Sequence, residues 1–402
     1  MNSAGPILFL LRGYNDIDHI APIIWKAATS GVRCRYFFSG QDHATDYRIC
    51  FLAHSGAQEL RSPLLRFYHK RVRGLIRPYH LKRIADYIIS YSIGSWILVT
   101  NRIDCLVNEW SGPYGREMAE YLIRSSYLLR RRCISVPHGY HFWTNPIINK
   151  TVSAHVDKFQ KLPSFTNRSK YTHYVVQTNN IRDYYLSHRM PVNKLRVLGS
   201  ARFCSEWREI LNEITPTHLV ARPDNSQFVV LIFIPDWNYF IDRSATISLI
   251  RALSMQPNTL VLVKQNTRGT GTITNDELGL TKESVNNTVI LGDEHHSVDL
   301  IRQADCIINF ASSIGLEALA QGKIVCNPHY LTENTTIFDN SGVTLDTSNE
   351  IKTIRCINDV RCNRSHRIPT QKDIDRFLCK HVNAGRTGDA VLEQYLSLII
   401  GY

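Results

Sequence analysis

Residues 304–328, ADCIINFASSIGLEALAQGKIVCNP, constrain the fold more than any other stretch of this chain. The apolar run 306–310 reads as a buried parallel strand. A small-residue loop follows at Ala311, Ser312 and Ser313. Residues 314–321 then read as a helix closed by Gly322, and 324–326 as a second buried strand. In a strand–turn–helix–strand unit of this kind the turn lies at the carboxyl end of a strand, where open α/β sheets bind ligands. Two serines at a helix start offer hydroxyls and free backbone N–H groups to a phosphate, and the helix dipole assists. Glu317 lies four residues after Ser313, outside the three-residue spacing of a capping box. A carboxylate there suits the two hydroxyls of a ribose. The alternative is a plain Ser313 cap with Glu317 in solvent.

The same alternation runs through the chain. Residues 7–11, 18–30 and 32–38 read as strand, helix and strand, the opening of a doubly wound sheet. The loop between the first two, residues 12–19, is polar but is not GxGxxG, so it predicts no dinucleotide site. Further strands are expected at 105–107, 133–136, 174–177 and 195–198, and helices at 84–99, 117–129 and 181–187. Residues 204–226, with Pro216 and Pro223, read as a linker. A second alternating domain begins at 228–234. It continues with helix 245–253, strand 260–263, strand 289–291 and a helix at 298–302 capped by Ser297. Residues 372–400 read as helical. The expected division is 1–203 as one domain, 227–371 as a second and 372–402 as a helical segment returning to the first. At 402 residues the chain is long enough for two sizeable cores.

Three compositional features narrow the function. No run approaches the roughly 18 apolar residues of a membrane span. Ten cysteines are scattered without a CxxC pair, several inside buried-strand patterns, which suggests reduced thiols in a cytosolic protein; Cys356 and Cys362 lack any partner motif for zinc. The net charge of +12 implies an anionic partner: nucleic acid, an acidic membrane surface or a phosphorylated substrate. The charge is concentrated in Arg61, Arg66, Lys70, Arg71, Arg73, Arg77, Lys82 and Arg83, interleaved with Leu64, Leu65, Phe67, Leu75 and Ile76. A basic amphipathic segment of this kind either lies on an anionic membrane or forms a solvated helix. No nucleic-acid-binding motif accompanies it.

Several polar residues fall where strands end. Glu109 precedes Trp110-Ser111-Gly112, His138 precedes Gly139, and Asp16, Asp18 and His19 cluster after the first strand. Proton transfer at a substrate needs a base or a charge stabiliser; for that role His138 and Glu109 rank first and Asp18 next. The plainer roles are a backbone-bonded histidine for His138 and a helix cap for Asp18. In the second half, Lys264 and Arg268 flank Asn266, and His295-His296 precede a helix. Cations and a helix start aimed at a leaving phosphate stabilise the charge that grows there. For these four residues the plainer role is a solvated surface loop.

The segment 304–328 resembles the donor-binding segment of GT-B glycosyltransferases and of their relatives, the UDP-N-acetylglucosamine 2-epimerases and CDP-glycerol glycerophosphotransferases. Residues 195–203, LRVLGSARF, resemble the VxGxxRF end of a first GT-B domain. Residues 260–268, LVLVKQNTR, resemble the vKxHxR strand and loop of CDP-glycerol transferases and surface-polysaccharide proteins, with Asn266 in place of the histidine. The resemblance implies a GT-B fold, with two Rossmann-like doubly wound domains facing a central cleft. It implies donor contacts from Lys264, Arg268, Ser312, Ser313 and Glu317, and contact with phosphate or the reacting sugar for His138, which matches the superfamily's His-Gly; His295 as a donor contact and Glu109 and Asp18 as catalytic candidates rest on their positions. The serine turn would hold the diphosphate and Glu317 the ribose.

The activity implied is a metal-independent glycosyltransferase, with no cofactor beyond its nucleotide-sugar donor. It would build a bacterial capsule, lipopolysaccharide or other surface polysaccharide on an oligosaccharide or lipid-linked acceptor. It would work in the cytoplasm, on or near the inner face of the membrane. Two other readings stand beside it: a sugar-nucleotide 2-epimerase on the same fold, and a non-catalytic polyanion-binding protein. Retaining and inverting enzymes share the GT-B fold, so the fold alone selects no stereochemical course.

Overall fold

Strand β1 (Ile7–Leu11) is five apolar residues buried along their whole length, the signature of a strand covered on both faces. The structure, a computed structural model, describes residues 5–109, 118–137, 139–161, 170–220, 227–266, 272–280, 287–310, 312–363, 368–388 and 390–401. The chain divides into two compact units. The first comprises Met1–Tyr140, Ser164–Ile210 and Lys380–Tyr402; the second comprises His141–Pro163 and Leu211–Cys379.

In the first unit β1 is joined by β2 (Cys34–Phe38), β3 (Gln58–Glu59), β4 (Cys105–Glu109), β5 (Arg132–Val136), β6 (His173–Val176) and β7 (Leu195–Val197). The order across the sheet is β3-β2-β1-β4-β5-β6-β7, and every pairing is parallel. The direction of winding reverses between β1 and β4. The helix Tyr14–Thr29 crosses from β1 to β2 and is longer than its periodicity suggests, because the loop before it is only Arg12 and Gly13. The helix Ala390–Ile400 packs against it, and the buried Tyr395 donates its hydroxyl to the Gly199 carbonyl at 2.9 Å. Residues 372–400 are two helices, Gln371–His381 and Ala390–Ile400, rather than one.

The second unit repeats the plan with β8 (Phe228–Phe233), β9 (Thr259–Lys264), β10 (Thr288–Leu291), β11 (Cys306–Ile308), β12 (Ile324–Pro328) and β13 (Leu345–Thr347). The order is β10-β9-β8-β11-β12-β13, again all parallel, with the reversal between β8 and β11. Val, Ile and Leu side chains of β8, β9 and β11 fill a core closed by the helix Arg243–Ser254. Gly322 takes φ +70° just past the helix Ile314–Ala320, as a left-handed stop requires.

Part of the stretch expected as a linker is ordered helix. Ser205–Ile214 is helical, and its Trp207 is fully buried with its ring 6.0 Å from that of Trp25. Ser297 does not cap the helix Ser297–Gln303. It is the first helical residue, and the cap position is His296, with no side-chain bond to the helix. Among the described residues no helix is long and apolar enough to cross a membrane.

Candidate functional site

The winding reverses between β1 and β4, and the carboxyl ends that flank such a reversal are where doubly wound sheets bind ligands. Leu10 is paired in register with Asn108, so Arg12 leaves β1 beside Glu109, the last residue of β4. An Arg12 Nη2 group donates to Glu109 Oε2 at 2.6 Å. The Arg12 backbone N–H donates to Asp16 Oδ2 at 2.7 Å, and the guanidinium lies 3.6 Å from the other oxygen. Asp16 is 2% exposed and Glu109 5% exposed. Burial pushes the Asp16 carboxyl well above the usual carboxylate range; the neighbouring Glu109 charge adds to the rise and Arg12 opposes it. The three groups thus form a buried pair of carboxyls sharing one cation. Burial and the neighbouring carboxylate favour the neutral form of Asp16, while Arg12 holds Glu109 by a direct hydrogen bond. Asn108 secures the strand end by donating to the Tyr171 hydroxyl at 2.9 Å.

The polar cluster of Asp16, Asp18 and His19 is split by the helix that carries it. Asp18 caps nothing, because the helix starts at Tyr14 with Gly13 at its cap position. Asp18 instead accepts from the fully buried Arg48 and lies 3.2 Å from Arg202, whereas Asp16 meets Glu109. Arg48 also binds Asp46 at 2.6 Å and sits 4.3 Å from the Tyr14 ring centre. This is an ion cluster that neutralises a buried guanidinium. His138 lies outside the described residues; its neighbour Gly139 has φ +69° and accepts from Gln177 at 2.8 Å through its carbonyl.

At the carboxyl edge of the second sheet, Lys264 ends β9 and is buried. Its ammonium donates to the Gly292 carbonyl after β10, and burial lowers its pKa. Asp293 stands 4.0 Å away. Arg268 lies outside the described residues. The His295 ring is 3.5 Å from Glu294 and packs edge-on to His218, with ring centres 6.1 Å apart; His296 lies 6.4 Å from the same ring.

Ser312 and Ser313 precede the seven-residue helix Ile314–Ala320, on which Glu317 is buried. The first N–H groups of this helix are not vacant. Ile314 donates to Ser312 Oγ at 3.3 Å, Gly315 to Asn309 Oδ1 at 3.1 Å and Leu316 to the Ser313 carbonyl at 3.0 Å. The short β11 ends at Ile308, which leaves Asn309 to turn inward and take the second of these. The Ser313 hydroxyl makes no cap bond to the helix.

Three participants were not legible as such in the sequence, and Asp16, though in the expected cluster, was not legible as a partner of Glu109. Arg12 and Asp16 sit in a loop-like stretch, and only the adjacency of β1 and β4 gives them Glu109. Arg202 belongs to the LGSARF motif, yet its contact with Asp18 spans most of the unit's chain length. His218 lies in the supposed linker and is fixed where its N–H donates to the buried Asp299 at 2.8 Å.

No family model matches the sequence, and no curated protein matches it. Solved structures do. UDP-GlcNAc 2-epimerase from Neisseria meningitidis, bound to UDP-GlcNAc, is similar over 98% of this chain and 99% of its own, with a TM-score of 0.60 and 12% identity. A glycosyltransferase from Rickettsia africae is similar over 99% and 98%, with a TM-score of 0.56 and 12% identity. Anabaena HepE in complex with UDP-glucose is similar over 99% and 100%, with a TM-score of 0.54 and 11% identity. The chain has the GT-B fold. The two parallel sheets of the GT-B plan account for the alternation read along the sequence, and at these identities it is the architecture that is shared.

Proposed function

We propose that this chain is a nucleotide-sugar enzyme, specifically a glycosyltransferase that moves a sugar to a polysaccharide or glycolipid acceptor in bacterial surface-polysaccharide synthesis. The observation that carries the reading is the Arg12–Glu109–Asp16 cluster at the reversal of the first sheet. Glu109 acts as the base that takes the proton of the acceptor hydroxyl as it attacks the anomeric carbon. Arg12 orients that carboxylate, and the raised pKa of Asp16 favours a neutral neighbour beside it. The nucleotide belongs to the second unit. Glu317 binds the ribose hydroxyls, and Ser312 and Ser313 bind the diphosphate through their hydroxyls. Lys264, Arg268 and His295 offset the charge on the departing nucleotide, so the step needs no metal or cofactor. His138 is the further catalytic residue assigned to the first unit.

A 2-epimerase is the second reading, favoured by the same carboxyl pair. Epimerisation removes a proton from the sugar and returns one, and two neighbouring carboxyls can serve the two halves of that exchange. It requires no acceptor.

The first test is a thermal-shift screen against UDP, CDP, CMP, GDP and their sugar conjugates. Saturation at a hundredfold excess over Kd stabilises a fold by about 2.7 kcal/mol. Stabilisation by one nucleotide fixes the donor class; no stabilisation by any in a folded sample rejects a nucleotide-sugar enzyme. NMR of the protein with UDP-N-acetylglucosamine alone then separates the readings, since only an epimerase changes the sugar without an acceptor. Glu317→Ala is expected to weaken nucleotide-sugar binding, and unchanged affinity rejects the assigned donor site.

A further inference from the structure

The helical stretch from Tyr79 to Thr100 carries large apolar side chains on its outer side as well as on the side packed into the first unit. It runs as the helix Tyr79–Ile89, one wide turn over Ser90–Gly94 and the helix Ser95–Thr100. Its inner side is fixed to the first unit. Asp86 is buried and accepts from the Tyr68 hydroxyl at 2.9 Å, the Tyr121 hydroxyl at 3.1 Å and Arg73 at 3.0 Å. Gly94 lies so close to the helix Ala119–Leu128 that a Cβ there would meet Ser125 Oγ. The outer side faces solvent. Ile84, Ile88, Tyr91 and Val99, at helical spacing, are 53%, 60%, 48% and 52% exposed, and Trp96 is 59% exposed. A surface helix ordinarily turns a polar face outward; a cluster of large apolar side chains left exposed on one marks a surface made to be covered.

The charge around this face says what covers it. Residues 61–100 contain eight Lys and Arg residues and one acid, Asp86, which is spent on Arg73. Lys70, Arg71, Arg77 and Arg83 are exposed, and Arg83 lies 5.9 Å from the ring centre of the exposed Tyr79. We infer that this face of the first unit docks on an anionic phospholipid bilayer. The isoleucines and Trp96 enter the headgroup boundary, the tyrosines lie at its level, and the surrounding cations meet lipid phosphates. A protein partner would need an equally apolar patch ringed by acids, whereas a bilayer supplies both chemistries without a matched shape. The inference does not depend on the proposed activity, and it gives that activity a place at lipid-linked acceptors.

The test is co-sedimentation of the full chain with vesicles of phosphatidylcholine alone and of phosphatidylcholine mixed with phosphatidylglycerol. The wild type is expected to bind the mixed vesicles, to ignore the neutral ones and to release as salt rises. Ile84→Ser with Ile88→Ser, and separately Lys70→Glu with Arg77→Glu, should each weaken binding at least about tenfold. All four side chains point outward, so both pairs should melt as the wild type does. If one pair fails to fold, the other decides. No binding of wild type to anionic vesicles, or binding that neither pair weakens, overturns the inference. So does an oligomer that the isoleucine pair dissociates while vesicles are ignored, because the face would then cover a second copy of the chain.

Discussion

Arg12 and Glu109 lie 97 residues apart in sequence and 2.6 Å apart in the structure. The contact exists because β1 and β4 are neighbours at the point where the sheet reverses its winding. It places a carboxylate, its counter-ion and a second carboxyl of raised pKa at the point where a doubly wound sheet reverses.

If Glu109 is the base, Glu109→Gln removes the proton acceptor while keeping the side-chain shape. Turnover should fall by about 10²–10⁴-fold, the usual share of general-base catalysis. Nucleotide stabilisation in a thermal-shift assay should not change. Equal loss of both would assign Glu109 to folding instead.

The raised pKa of Asp16 has a definite sign in stability. In the unfolded chain this carboxyl ionises near pH 4, whereas in the folded chain it keeps its proton higher. Its contribution is therefore full below about pH 4 and is lost as pH rises towards the folded pKa. Asp16→Asn cannot ionise. Its stability relative to wild type should improve with pH, by about 1.4 kcal/mol per unit inside that window. Urea midpoints at several pH values measure this, and a pH-independent difference would show that Asp16 ionises normally in the fold.

Arg48 is fully buried against Asp18 and Asp46. Arg48→Met strands two carboxylates and should lower unfolding free energy by about 3–5 kcal/mol in urea denaturation. Asp18→Asn should also destabilise, by less, because Asp46 and Arg48 stay paired. Undiminished stability with turnover abolished in Asp18→Asn would return Asp18 to the reacting centre.

Gly199 has φ +90°, and a Cβ there would stand 3.0 Å from the Val382 carbonyl oxygen. Gly199→Ala should cost about 1–3 kcal/mol, read as earlier thermal unfolding. An unchanged melting temperature would mean that the chain around Val382 yields freely.

The elements nearest the candidate site were legible to different degrees. Glu109 stands out as a lone acid closing an apolar strand, and Ser312, Ser313 and Glu317 stand out because a strand and a helix bracket them. Asp18 reads as a helix cap only while the helix is taken to begin there; the two-residue loop moves the start to Tyr14 and puts Asp18 in mid-helix. The serine turn reads as a set of free N–H donors because sequence does not reveal that Asn309 folds back onto Gly315.

By itself, the sequence determined the alternation of buried strands with helices, because side-chain periodicity and burial of apolar runs act over a few residues. The parallel doubly wound plan and the basic character of residues 61–83 follow from the same local information. Tertiary structure alone decided which charges meet: Glu109 with Arg12 rather than with Asp18, Arg202 with Asp18, and Asp86 with Arg73. Ion pairs are selected by strand order and by the need of every buried charge for a counter-charge, and neither is written in spacing along the chain. The exposed side of residues 79–100 was decided in the same way. A helix with apolar residues on more than one side carries no local mark of which side the protein will cover, and the Asp86 cluster chooses it.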